Sequence, residues 1–221
     1  MPDYTLHYWP IPFRGHFIRY VLAHVRASWQ EIPRKPEGRE YPFLALPLLI
    51  DNRSGQSLSQ TPAILMSLGR TYDLVTDPDQ TLRLICDCMD VLTEITRAHG
   101  AQMWDRPAWE EFTSTRLPRW MEQHEQIGVS HGLTPGAGYI FGTEAPTLAD
   151  LTLAALWHTM VDRLPGLRPL LHEHAPAIEG LVDRIAARDD IAAMLADWEN
   201  DGPRYCAGQI EASILSMLAA Q

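Results

Sequence analysis

The sequence predicts an α/β domain over residues 1–76 and an all-helical domain over residues 77–221. The first part alternates short apolar runs of strand length with a segment of helical periodicity. From Leu82 onward, apolar residues instead recur three and four positions apart, which is typical of amphipathic helices. Between the two parts, residues 71–79 carry turn-forming side chains and indicate a linker.

The α/β part begins with residues 4–8, which alternate like a strand. The apolar positions of the next segment have helical spacing, which puts His16, Arg19 and Arg26 off the apolar face. Three further short strands are predicted, at residues 29–32, at the apolar run 45–50 and at residues 57–59.

A second helix of this part has a clear start signal. Thr61 is a good N-cap residue, and Pro62 fits the first helical position because its missing N–H costs nothing there.

In the helical part, Pro107 opens a helix to about Gln126, and Pro118 is expected to kink or break it. Thr147 and Asp150 have the spacing of a capping box before an apolar helix that runs to Met160. Further helices are predicted at residues 176–187, 190–198 and 209–220.

The charge of the chain limits its partners. A formal net charge of −10 argues against nucleic acid or an anionic membrane as the main partner, since both need a basic face. No run approaches about 18 apolar residues, so no membrane span is expected. Asp3 stands where a signal peptide would be basic, which favours a cytoplasmic protein.

The cysteines and histidines give no sign of a disulfide framework or a metal site. Cys86, Cys88 and Cys206 are odd in number and sparse. His172 and His174 flank a glutamate without zinc-protease spacing or cysteine partners, so no metal is expected.

Tyr8 is the first candidate for chemistry. It ends the first strand, and a loop with Pro10 and Arg14 leads from it into a helix. Such a corner presents backbone N–H groups and one side chain at the mouth of a pocket. Here the side chain is a phenol, which can donate a hydrogen bond to a thiolate. The alternative is an ordinary strand tyrosine with its ring in the core.

Two further motifs follow in order. Pro47 starts an otherwise clean strand after Leu46, so it belongs at an edge, a bulge or a cis turn. Gln60 and Thr61 open a helix whose free N–H groups can bind a carboxylate, although an ordinary N-cap has the same pattern.

Taken as an ordered set, these motifs resemble the cytosolic glutathione transferases of the tyrosine type, which include the mu, alpha, pi and sigma classes. The matching residues are Tyr8, Ile18-Arg19, Leu46-Pro47, Asp51, Gln60-Thr61-Pro62-Ala63-Ile64, Gly138-Tyr139-Ile140-Phe141-Gly142 and Thr147-Leu148-Ala149-Asp150-Leu151. The resemblance covers nearly the whole chain. It implies a thioredoxin-like N-terminal domain with a cis-proline, an all-helical C-terminal domain, glutathione as co-substrate and a homodimer.

The resemblance also implies residue roles in glutathione binding. Tyr8 would hydrogen-bond the sulfur, with Arg14 adding positive potential, and Trp9 matches a tryptophan beside the tyrosine of mu-type enzymes. Leu46, before Pro47, would pair with the cysteinyl backbone.

The γ-glutamyl end of glutathione would be held by Gln60 and Thr61. Asp90 of the partner subunit would reach its ammonium, with Asp87 as the competing choice.

A small hydrophobic electrophile is the implied second substrate. The candidates for its pocket are Pro10, Ile11, Phe13, His99, Met103 and Trp104. The alternative is that the methionine and aromatic residues simply belong to the core.

One segment departs from the family pattern. Residues 33–42 are too rich in proline and glycine for the usual helix, which carries the residue on the glycine carboxylate of glutathione. Arg34, Lys35 or Arg39 can substitute.

Conjugation of glutathione is therefore the predicted activity, and glutathione-dependent isomerisation is an alternative. A non-catalytic scaffold or ligand carrier is another alternative, since the departure at residues 33–42 could mean lost glutathione binding. Thiol–disulfide reduction is disfavoured because no cysteine lies at the corner after Tyr8.

Overall fold

The computed structural model describes residues 1–36, 43–198 and 204–219. Its N-terminal part is built on a four-stranded sheet of order β2-β1-β3-β4. The strands are β1 Tyr4–His7, β2 Trp29–Ile32, β3 Leu48–Asp51 and β4 Ser57–Ser59. β1 and β2 are parallel, whereas β3 is antiparallel to both β1 and β4. The predicted α/β architecture is confirmed, and its sheet is mixed.

Helix α1, Phe13–His24, is the crossover that parallel β1 and β2 require. Of the three polar residues predicted to lie off its apolar face, Arg26 is exposed, whereas His16 and Arg19 are both 0% exposed. Helical spacing identifies only the apolar face of a helix, and here other elements cover the polar face as well.

Helix α2, Thr61–Thr71, packs against α1. The predicted N-cap was one residue late, since Gln60 is the N-cap residue and Thr61 is the first residue of the helix. Gln60 has a φ of 70°, a left-handed conformation that turns the chain sharply from β4 into the helix.

The helical part begins with α3, Pro78–Ile95, whose N-cap Asp77 accepts a hydrogen bond from the Gln80 amide. After α3 the chain makes a left-handed turn at Arg97–Gly100, where every residue has a positive φ. No described helix is long and apolar enough to cross a bilayer.

The next helical stretch is the one in which a kink or break was expected at Pro118. It comprises α4 Arg106–Glu111, a π-helical turn Phe112–Arg116 and α5 Leu117–Ser130. Pro118 does not break it. The π-helical turn before Pro118 absorbs the irregularity, and α5 continues four residues beyond Gln126.

The predicted apolar helix is likewise divided, into α6 Leu148–Leu153, a π-helical turn Ala154–His158 and α7 Thr159–Arg163. A 3-10 turn at Pro165–Leu167 leads into the last helices. These are α8 Arg168–His174, α9 Pro176–Ala186, α10 Asp189–Ala196 and α11 Gly208–Ala219.

The two parts share one apolar core. Helix α6 contacts both α1 and α3, and the amide of Leu148 donates to the carbonyl of Leu74 in the connecting segment at 2.9 Å. The division between residues 76 and 77 stays a prediction. This packing brings the start of α1, the turn Arg97–Gly100 and the start of α11 together around the candidate site.

Candidate active site

The three sequence motifs meet at one edge of the sheet. His7 lies opposite Leu48, so continuing the antiparallel register by one residue puts Tyr8 opposite Pro47. Leu48 lies opposite Ser59, and the same step puts Pro47 opposite Gln60. Pro47 and Gln60, which follow Tyr8 in the chain by about 40 and 50 positions, thus lie in a row with it on neighbouring strands. The Leu46–Pro47 peptide bond is cis, as the resemblance implied.

Tyr8 is fixed at this edge by the start of α1. Its side chain is 3% exposed, and its hydroxyl accepts a hydrogen bond from the Arg14 amide at 3.1 Å. Burial raises the pKa of Tyr8 to about 12, although the amides of Arg14 and Gly15 act in the opposite direction. The phenol therefore stays protonated near neutral pH, with its own O–H available to donate.

Gly15 is needed where the helix passes over the ring. A Cβ at this position would lie 2.5 Å from Cδ1 of Tyr8 and 2.6 Å from Nη1 of Arg19. Both neighbours are held by packing, so a side chain here would displace the tyrosine.

Arg14 contributes a partly buried cation beside Tyr8. Its Nη1 lies 2.8 Å from Sδ of Met89 on α3. Burial lowers the pKa of Arg14, with Tyr8 and Tyr205 opposing the change. The guanidinium remains charged at physiological pH because its ordinary pKa is far above 7.

Arg19 holds the loop between Tyr8 and α1. It forms a bidentate ion pair with Glu31 at 2.8 and 2.6 Å, and its Nη1 donates to the Ile11 carbonyl at 2.8 Å. Its guanidinium also stacks on the ring of Trp198 at 4.2 Å. These contacts explain why a buried arginine is tolerated and how Ile11 is placed at the site.

A cavity of about 390 Å³ opens above Tyr8. The predicted residues that line it are Tyr8, Trp9, Ile11, Phe13, Arg14, Leu46 and His99. Its remaining walls are mostly apolar, so the lining combines apolar residues with a tyrosine and an arginine.

The other predicted pocket residues lie elsewhere. Pro10 and Met103 are exposed and are not among the residues that line this cavity. Trp104 is buried in the helical core, where it packs on Trp109 and Phe112 and its Nε1–H donates to the Ile95 carbonyl. The alternative of a core aromatic residue therefore describes Trp104 better.

Sequence reasoning missed five lining residues, which are Ala45, Thr96, Cys206, Ala207 and Ile210. Three of them come from the last part of the chain. Ile210 lies in the helix predicted at residues 209–220, but that prediction does not say where the helix docks. Cys206 also brings a thiol to a site where none was expected, and burial raises the pKa of this thiol to about 12.

The start of α2 offers a second polar subsite. Thr61 is 1% exposed, and its Oγ1 has no hydrogen-bond partner among the described residues. This unpaired hydroxyl lies in the first turn of an 11-residue helix, where unpaired amides favour an anion.

The segment proposed for the glycine end of glutathione is only partly described, because Arg39 lies outside the described residues. The Arg34 carbonyl contacts Nδ1 of His7 at 3.0 Å. Lys35 Nζ donates to the Leu44 carbonyl at 2.9 Å, which places this ammonium two residues from Leu46. Lys35 is thus tied to the loop that carries the cis-proline.

Asp87 and Asp90 differ in their surroundings. Asp87 accepts a hydrogen bond from Gln123 and pairs with Arg83, both in its own chain. Asp90 is exposed on the surface of α3. His172 and His174 each pair with a glutamate of the same chain.

Comparison with known proteins identifies the class. The family model "Glutathione S-transferase, C-terminal domain" matches residues 80–217, more than half of the chain. The protein therefore belongs to the glutathione S-transferase family.

Solved structures agree in fold. A Pi-class glutathione S-transferase of Onchocerca volvulus has 20% identity and a TM-score of 0.72, covering 90% of this chain and 95% of that one. Rat hPGDS in complex with a quinoline has 20% identity and a TM-score of 0.70, covering 89% and 97%. Prostaglandin synthase D of Nilaparvata lugens has 17% identity and a TM-score of 0.66, covering 88% and 98%. At these identities the likeness shows the fold alone.

Proposed function

We propose that the protein is a glutathione transferase that conjugates glutathione to a small hydrophobic electrophile. The observation that carries the proposal is the Tyr8 hydroxyl. It accepts from the Arg14 amide and keeps its own proton for donation, and Tyr8 lines a largely apolar cavity at the end of the sheet that also holds cis-Pro47. A phenol held in this way stabilises the thiolate by donating a hydrogen bond to the sulfur, and it does not act as the base that deprotonates the thiol.

Glutathione would lie along the row formed by Tyr8, Pro47 and Gln60. The backbone of Leu46 pairs with the cysteinyl residue in the manner of an added strand. The γ-glutamyl carboxylate binds the first turn of α2, where the Thr61 hydroxyl is unpaired. Lys35 is the proposed partner of the glycine carboxylate.

In the reaction, the glutathione thiol loses its proton to solvent and the thiolate accepts a hydrogen bond from Tyr8. Arg14 adds positive potential, which lowers the thiol pKa further. The sulfur lone pair then forms a bond to an electrophilic carbon in the cavity, and the leaving group departs with the electron pair of its broken bond.

The test is glutathione binding by calorimetry, followed by an aryl-halide conjugation assay on Tyr8→Phe. We expect glutathione affinity to change little and kcat to fall about 10- to 100-fold, as for a lost hydrogen bond to a charged group. Tyr4→Phe is the matched control. It removes a buried phenol hydroxyl from the same segment, but Tyr4 bonds Tyr72 and Arg53 away from the cavity.

Two outcomes would contradict the proposal. Equal kcat in Tyr8→Phe and the wild type would remove Tyr8 from the reaction. Absence of binding at millimolar glutathione would favour the non-catalytic scaffold.

A further inference from the structure

The C-terminal segment is bonded to the start of α1. The Phe13 amide donates to the carbonyl of Tyr205 at 3.3 Å, and the two rings meet edge to face with centroids 5.9 Å apart. Phe13 has a φ of 27°, so this contact holds a residue in a conformation that non-glycine residues rarely adopt. Tyr205 is 1% exposed, which makes it a fixed anchor.

Glu211 on α11 holds Tyr205 in place through hydrogen bonds to the backbone. Its Oε1 accepts from the amide of Tyr205 at 2.6 Å and from the amide of Cys206 at 3.3 Å. A carboxylate that accepts two amide hydrogen bonds orients the peptide units that donate them. The Tyr205 carbonyl and the Cys206 N–H belong to the same planar peptide unit, so a hydrogen bond to that N–H also orients the carbonyl.

We propose that Glu211 is a positioning residue for Tyr8. The carboxylate sets the Tyr205–Cys206 peptide, and the Tyr205 carbonyl then holds the Phe13 amide. The neighbouring peptide of Phe13 supplies the Arg14 N–H that bonds Tyr8 Oη. An acceptor that already receives one hydrogen bond donates its own proton more strongly, so the chain of contacts improves the phenol as a donor.

The proposal separates two roles for Glu211. If it only fastens the start of α11, its loss affects that helix alone. If it positions Tyr8, its loss also loosens the amides of Phe13 and Arg14. These belong to the other domain and do not contact Glu211 directly.

The experiment measures amide hydrogen exchange of the whole protein in Glu211→Met, which keeps the chain length but removes the acceptor, and in Glu211→Gln, which keeps a weaker one. We expect exchange at Phe13 and Arg14 to be about tenfold faster in Glu211→Met, with Glu211→Gln in between. Ser213→Ala is the matched control. It removes the contact of the same helix with the Trp104 amide at 2.9 Å but leaves the Tyr205 link intact.

The kinetic readout rests on the proposed function. In aryl-halide conjugation, kcat of Glu211→Met should fall about fivefold with little change in KM for glutathione, because the effect is on the reacting sulfur. Ser213→Ala should keep the wild-type kcat. Amide exchange needs neither glutathione nor an electrophile. It therefore tests the structural connection between Glu211 and the amides of Phe13 and Arg14 even if the protein binds no glutathione.

Three results would overturn the proposal. The first is exchange at Phe13 and Arg14 that is no faster in either Glu211 variant than in Ser213→Ala. The second is faster exchange with unchanged kcat in an enzyme that does turn over. The third is an unfolded Glu211→Met together with wild-type exchange in Glu211→Gln, which would assign Glu211 to folding alone.

Discussion

At the residue scale, Tyr4 and the proposed catalytic residue Tyr8 show that burial alone does not distinguish a candidate catalytic side chain from a structural one. Both are 3% exposed, and burial raises the pKa of each. The hydroxyl of Tyr4 lies among side-chain partners, Tyr72 at 3.1 Å and Arg53 at 2.9 Å. The hydroxyl of Tyr8 has a backbone donor, and Tyr8 lines a cavity. The partners of the hydroxyl, and not its burial, separate the two roles.

A buried histidine gives a prediction at the same scale. His124 is 0% exposed, its Nδ1 accepts from Trp157 Nε1–H at 3.0 Å, and burial lowers its pKa to about 3. The ring is therefore neutral at pH 7, and its 3.9 Å approach to Asp87 is not an ion pair.

This lowered pKa makes one contribution to the pH dependence of stability, beside those of other buried histidines such as His16. Below about 6.5 the unfolded chain binds a proton at His124 that the folded protein does not, so stability is complete above that pH and falls as the pH drops towards 3. The loss is up to about 1.4 kcal/mol per pH unit for one such group. His124→Gln, whose amide oxygen can still accept from Trp157, should flatten the slope of unfolding free energy against pH between 5 and 6.5. An unchanged slope would assign the pH dependence to other groups.

At the scale of elements, the start of α6 depends on a buried carboxylate. Asp150 is 0% exposed and accepts from the Thr147 amide, the Thr147 hydroxyl and the Ile140 amide, each at 2.7 Å. It thereby joins the loop before α6 to the first turn of the helix.

Asp150→Ala should lower the free energy of unfolding by about 3 kcal/mol, because it leaves two buried amides without their acceptor. Urea denaturation is the measurement, and Thr147→Ser, which keeps the hydroxyl, is the control. A loss within about 0.5 kcal/mol of the control would show that water replaces the carboxylate.

The whole molecule is proposed to act as a homodimer, with Asp90 of one protomer completing the γ-glutamyl site of its partner. Asp90 is exposed on α3 and is therefore available for this contact, whereas Asp87 is hydrogen-bonded and ion-paired within its own chain. Asp90→Asn should raise KM for glutathione about fivefold, as expected for loss of an ion pair worth about 1 kcal/mol, with kcat nearly unchanged.

Asp87→Asn is the control for this prediction and should leave KM unchanged. Sedimentation of the wild type provides the second measurement. A monomer at micromolar concentration, or equal KM in both variants, would exclude a shared site.

Only the tertiary structure decided how the cavity is closed and what surrounds the helices. Trp104 was predicted to line the pocket, but it lies in the core, where it packs on Trp109 and Phe112. Arg19 is buried because β2 supplies Glu31 as a partner. Cys206 reaches the cavity only because α11 docks beside the turn Arg97–Gly100. Such contacts depend on segments far apart in the chain, which local patterns do not encode.

The sequence by itself determined the two-part architecture, the strand-to-helix corner at Tyr8, the proline before β3 and, to within one residue, the helix start at Thr61. These features follow from alternation, from the missing proline N–H and from capping chemistry, all of which act over a few neighbouring residues. The row of Tyr8, Pro47 and Gln60 needed the sheet register, and the Glu211 link needed the docking of the C-terminal helix. Local chemistry thus specified the parts of the site, and long-range packing specified their geometry.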